Sequence, residues 1–180
     1  MGLADARTAT TFHAMAAITS RTVLIFAAAG ALAATLVAVP AAAVEITGPA
    51  HVLDANAVEI GGRPIQLYGI DAPPESQMCE RAGAPWRCGQ DASWALAEKL
   101  ERHWLLCDTL PGGSADESRA ICYLGGRQGV DVGAWLVEQG WALADRAGTD
   151  YLAQEQAAQR AGRGLWAGKF DPPADWRARR

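Results

Sequence analysis

The dipeptide Gly61-Gly62 sits between two short runs in which apolar and polar residues alternate, and it constrains the fold more than any other feature. His51–Leu53 and Ala57–Ile60 read as strand, and the two glycines supply the positive-φ positions of a two-residue hairpin. The return strand is expected over Pro64–Ile70, with Ile65, Leu67 and Gly69 on one face. Pro73-Pro74 ends it, because proline has no N–H to give to a ladder. The chain therefore begins as antiparallel sheet with a hard stop.

Downstream, Asp91–Trp104 carries Trp94, Leu96, Ala97 and Leu100 at helical spacing, with Asp91 as its cap, and predicts an amphipathic helix. Trp104–Cys107 and Arg119–Leu124 read as strands on either side of Pro111-Gly112-Gly113-Ser114. Asp131 is expected to cap a short helix holding Trp135, Leu136 and Val137 and ended by Gly140. A last helix, Tyr151–Arg160, is opened by Asp150 and broken at Gly162-Arg163-Gly164. Strands first, with helices interleaved late, suit an α+β fold: the five-stranded Greek-key barrel of the OB type with three helices. The seven tryptophans mostly fall at helix or strand spacing and read as core, not as platforms for stacked bases. His51 and His103 read as lone surface residues, and the basic end (Arg163, Lys169, Arg177, Arg179, Arg180) as a solvated tail.

The first 43 residues read as a separate segment. Thr22–Val39 is an almost unbroken apolar run, preceded by Arg21 and followed by Pro40-Ala41-Ala42-Ala43, the pattern of a secretory signal cleaved after Ala43. An uncleaved anchor is the alternative, since the run approaches the ~18 residues that begin to span a bilayer; the Ala and Gly content and the A-x-A site favour cleavage. The expectation is one exported domain over 44–180, periplasmic or secreted, with no stable membrane span, and with translation from Met1 or Met15. Taking Arg7, Arg21 and Asp5 from the 16 basic and 20 acidic residues leaves 14 against 19, a net −5. That balance argues against general polyanion binding, which draws its affinity from Lys and Arg on phosphates. Cys79, Cys88, Cys107 and Cys122 all follow the leader, and an even count in an exported chain reads as disulfides, in any of three connectivities. Without C-x-x-C spacing, a metal site is the weaker reading.

Several segments together resemble one family. They are the hairpin His51–Ile65, the stretch Gln66-Leu-Tyr-Gly-Ile-Asp-Ala-Pro-Pro-Glu75, Cys79 with Trp86-Arg87-Cys88-Gly89, Cys107, Cys122, Val130–Ala142, Gly164–Phe170 and Trp176-Arg177. In this order, from about Gly48 to Arg177, the chain resembles the staphylococcal nuclease (thermonuclease) family. The resemblance implies the OB-type barrel with three helices and the pairs Cys79–Cys88 and Cys107–Cys122. It also implies calcium-dependent phosphodiester hydrolysis of DNA or RNA. That chemistry needs carboxylates for a hard, oxygen-seeking cation, a glutamate to activate water, and two arginines to hold phosphate and its growing charge.

Most positions that would carry it are replaced. The family's D-G-D-T element stands here as Asp54-Ala55-Asn56-Ala57, so the second, metal-binding aspartate is Asn56. Asp71 matches the other metal aspartate, the threonine after it is Ala72, and Asp54 is at best a supporting carboxylate. The glutamate of D-A-P-E is Pro74, with Glu75 one residue late. The first phosphate arginine is Gln66; the second, counted from Cys107 without gaps, is Glu117, with Arg119 two residues beyond. Any Ca2+ site is expected to be weak. The expected function is that of an exported thermonuclease-like protein that is catalytically impaired or inactive. Two alternatives stand: a divergent but active nuclease using Asp71, Asp54, Glu75 and Arg119, and a non-catalytic module binding an unknown envelope partner.

Overall fold

The hairpin forms as the glycines dictate. In the structure, a computed structural model that describes residues 44–111, 118–146 and 150–179, strands β1 (Glu45–Asp54) and β2 (Ala57–Ile60) pair antiparallel. Gly61 and Gly62, at φ 60° and 77°, turn β2 into β3 (Arg63–Leu67). The return strand is shorter than expected. Tyr68-Gly69 breaks it, Gly69 lies at φ 77° against the ring of Tyr151, and β4 (Ile70–Asp71) belongs to a different sheet. Gly69 thus shares no face with Ile65 and Leu67, which remain buried.

A small hairpin follows, β5 (Cys79–Arg81) with β6 (Ala84–Trp86), and leads into α1 (Cys88–Leu100). The helix starts three residues before Asp91, which does not cap it but accepts a hydrogen bond from Trp86 Nε1 at 2.5 Å. Its buried stripe is Ala92, Ser93, Leu96 and Leu100; Trp94 and Ala97 face outward. Then come β7 (Trp104–Thr109), β8 (Ser118–Leu124), β9 (Val130–Asp131) and α2 (Val132–Glu138). Asp131 caps α2 as expected, accepting from Ala134 N at 3.1 Å. After β10 (Leu143–Ala144), α3 (Leu152–Ala161) ends at Gly162, while Asp150 accepts from the Tyr68 hydroxyl at 3.2 Å instead of capping. A 3-10 turn (Gly164–Ala167) and a helix not anticipated, α4 (Pro173–Ala178), complete the described elements.

The sheet runs β3-β2-β1-β7-β8-β9 and closes into a five-strand barrel where β3 and β8 pair in parallel, Ile65 opposite Ser118, Gln66 opposite Arg119 and Leu67 opposite Ala120. Closure removes the exposed edges that an open sheet would present. Val58, Ile65, Leu105, Ala120 and Cys122 fill the interior against Leu96, Leu100 and Leu136 from the helices. Cys107 and Cys122 are register partners across β7 and β8 and are bonded; Cys79 and Cys88 are bonded at the foot of α1. Two disulfides fit an oxidising compartment outside the cytoplasm. Among the described residues, no helix is long and apolar enough to cross a membrane.

The tryptophans are less buried than their spacing suggests. Trp94 and Trp104 are each 65% exposed, and the other five are only partly covered. The basic end is not a free tail either. Phe170 packs edge-on against Trp166, and Arg163, Lys169, Arg177 and Arg179 pair with Glu138, Glu80, Asp71 and Asp171. Arg180 lies outside the described residues.

Candidate functional site

The residues singled out from sequence meet at the turn between β1 and β2 and at the short strand β4. Asp54 Oδ1 accepts from the backbone N–H of Asn56 at 2.7 Å, so this carboxylate serves its own turn, as Asp commonly does. Asn56 pairs with the backbone of Ala72 at two points: its Nδ2 donates to Ala72 O at 2.9 Å, and its Oδ1 accepts from Ala72 N at 2.7 Å. The side-chain amide acts here as one more rung of sheet.

Asp71 is engaged through both oxygens. Oδ1 accepts from Arg177 Nη2 at 2.5 Å, and Oδ2 accepts from Ala174 N, in the first turn of α4, at 3.2 Å. Arg177 Nη1 also reaches Ala72 O at 3.5 Å. The four oxygens that the family resemblance would offer a calcium ion, Asn56 Oδ1, Asp71 Oδ1 and Oδ2 and Ala72 O, thus already accept hydrogen bonds from the protein itself. This donor set does not fit a calcium ion, which takes six to eight oxygen ligands. No group of three or more His, Cys, Asp or Glu suited to a metal occurs among the described residues.

Asp71 opens on a cavity of about 480 Å3 that it shares with Arg177, Arg146, Asp145 and Asp175. Arg146 is steadied by Glu155, which is buried, accepts from Ala144 N at 3.3 Å and holds the guanidinium at 3.3 Å. Glu75 lies elsewhere. It is exposed and lines a separate cavity with Ser76, Met78, Arg87 and Gln90. Pro74 is held from behind, its carbonyl accepting from Gln77 N at 2.8 Å. Arg119 stands beside Gln66 on the parallel seam, with its guanidinium over the Tyr68 ring at 5.4 Å from the centroid. Glu117 lies outside the described residues. The fold therefore brings Asp54, Asn56 and Asp71 together, sets Gln66 and Arg119 side by side, and places Glu75 in a different cavity from Asp71.

Comparison with known proteins fits this geometry. A family profile described as Staphylococcal nuclease homologue matches residues 64–168, more than half of the chain. The chain belongs to the staphylococcal nuclease homologue family. The matched span takes in Gln66, Asp71, Pro74 and Arg119, whereas Asp54 and Asn56 precede it. A relative within reach of this nuclease homologue is the succinoglycan biosynthesis protein ExoI of Rhizobium meliloti (strain 1021), 32% identical over 110 residues. The alignment covers 58% of this chain and 56% of that protein, so the chain spans little more than half of its relative's length.

Sequence reasoning missed Arg177 as a site residue, because a run of C-terminal arginines is usually solvated. The available signal was Pro172-Pro173 followed by Ala-Asp-Trp-Arg: proline at the first helical position starts a helix, and a helix can carry a side chain back to the barrel.

Proposed function

We propose that this is an exported domain of the nuclease family in which calcium-dependent phosphodiester hydrolysis is impaired or lost. The observation that carries the reading is the separation of Glu75 from Asp71. Asp71 lines one cavity with Arg177 and Arg146, and Glu75 another with Arg87 and Gln90, which speaks against the one glutamate near the family's position serving the one surviving metal-type aspartate. A general base must stand within hydrogen-bond reach of the water it activates, directly or through one other water. Pro74, in the place of that base, has no side-chain proton acceptor. Losing a base typically costs about 10²–10⁴ in rate, and losing one positioned electrostatic donor about 10²–10³.

Export rests on the apolar run, the Ala41–Ala43 site and the two disulfides. The ExoI relative, named for succinoglycan biosynthesis and not for nucleic-acid cleavage, fits a family member used outside digestion. The cavity beside Asp71, with two guanidinium groups and three carboxylates, suits a polar ligand in the envelope better than a polyanion. The oxidised chain is expected to leave single- and double-stranded DNA and RNA intact in excess calcium. Fast, chelator-sensitive cleavage overturns the proposal.

One observation favours a second reading, a divergent nuclease of low activity. Arg119 sits opposite Gln66 in register, so one guanidinium still stands next to the first phosphate-arginine position. On this reading, any residual cleavage falls by at least about tenfold in Arg119→Ala. Residual cleavage unchanged by that substitution removes the second reading.

A further inference from the structure

We propose that Arg177 is the resident cation of this site, taking on Asp71 the place of a divalent metal ion and latching the C-terminal segment to the barrel. The inference deepens the functional reading above and rests on it.

Of the two side chains at the metal-type positions, Asn56 is neutral and Asp71 carries the one negative charge, which a single guanidinium neutralises. The geometry agrees. The guanidinium meets Asp71 Oδ1 at 2.5 Å with one nitrogen and Ala72 O at 3.5 Å with the other. Asp71 Oδ2 meanwhile accepts from Ala174 N, so the carboxylate has become a cap for the helix that delivers Arg177. Arginine suits the task because its charge is permanent and its donors are fixed in a planar fork.

The segment is tied down before the helix as well. Gln77, fully buried, donates from Nε2 to Asp171 O at 2.7 Å, and Arg179 pairs with Asp171 at 2.5 Å. The chain after the 3-10 turn is therefore a strap. One end is fixed through Gln77, and the other is fastened by a half-exposed ion pair, Asp71 being 23% and Arg177 47% exposed. Because that pair touches solvent, it can open without unfolding the barrel.

The test uses calcium calorimetry and thermal melts on the oxidised full chain, its Arg177→Gln variant and the double variant Asn56→Asp/Arg177→Gln. The native chain is expected to give no calcium heat and the same Tm in calcium and in chelator. Arg177→Gln is expected to melt about 2–5 °C lower and to lose its C-terminal segment to protease faster. The double variant, with two carboxylates and no resident cation, is expected to bind calcium and to gain Tm from it. Calcium binding by the native chain with a rise in Tm overturns the latch, as does an Arg177→Gln variant with native Tm and protease resistance. Should a variant fail to fold, arginine side-chain NMR of the native chain decides. A slowly exchanging Arg177 signal that persists in millimolar calcium supports the latch, and a signal like that of free arginine overturns it. A native chain that binds calcium and cuts nucleic acid in a chelator-sensitive way sinks both readings, whereas one that cuts without binding calcium counts for the latch and leaves calcium-dependent hydrolysis lost. One that binds calcium without cutting sinks the latch alone.

Discussion

The amide of Asn56 donates to Ala72 O and accepts from Ala72 N–H, a pairing that an ionised aspartate cannot make, since it has no proton to give. The Asn56 side chain thus serves as a backbone brace between the β1–β2 turn and the end of β4. Tyr151 shows similar economy in the core. Its hydroxyl donates to Asp131 Oδ2 at 2.9 Å, while the other oxygen of Asp131 caps α2. Burial first, and the Asp131 carboxylate next, push the Tyr151 phenol well above its ordinary value of 10.0. A phenol that ionises less readily when folded stabilises the fold fully below pH about 10, and the contribution fades as pH rises above that, because the unfolded chain then loses the proton first. Tyr151→Phe is expected to cost about 1–2 kcal/mol at neutral pH and to flatten the alkaline loss of stability; urea melts across pH 8–11 check both. An unchanged alkaline slope assigns that loss to other groups. The meeting of Asp54, Asn56 and Asp71 at one place was legible because the hairpin and G-I-D-A-P frame fixes their positions. Arg177 was not, because its partner Asp71 lies more than a hundred residues away, and no local pattern encodes such a contact.

Elements were legible wherever a local rule acts alone. The Gly61-Gly62 hairpin, the Asp131 cap and the Gly162 break follow from backbone chemistry. Tertiary contacts moved the others. Tyr151 against Gly69 splits the return strand, and Trp86 takes the Asp91 carboxylate that had been expected to cap α1. The first turn of α1 also presses on Pro74: a Cβ at Gly89 would stand 1.9 Å from Pro74 O. Gly89→Ala must therefore displace the Pro73-Pro74 turn or the helix, at a cost of about 1–3 kcal/mol. A chemical-denaturation midpoint equal to the native one would show that this packing is looser than described. The same contact, together with Gln77 N donating to Pro74 O, wedges the turn that precedes Glu75 between α1 and Gln77.

For the whole molecule, the parallel β3–β8 pairing closes the barrel and sets Gln66 beside Arg119, while the Cys107–Cys122 bond ties β7 to β8 inside it. The frame is thus complete, whereas the chemistry on it is proposed to be reduced. A scaffold and the site grafted on it are separable, so family membership fixes the first without fixing the second. The measurement that tests this most directly is the rate of DNA cleavage in excess calcium by the oxidised native chain beside the variant Asn56→Asp/Gln66→Arg/Pro74→Glu/Glu117→Arg/Arg177→Gln, which also removes the resident cation from Asp71. The expected result is no calcium-dependent cleavage by the native chain and a clear gain, at least about 10²-fold, in the restored variant. Robust calcium-dependent cleavage by the native chain, matching or exceeding the restored variant, would contradict it.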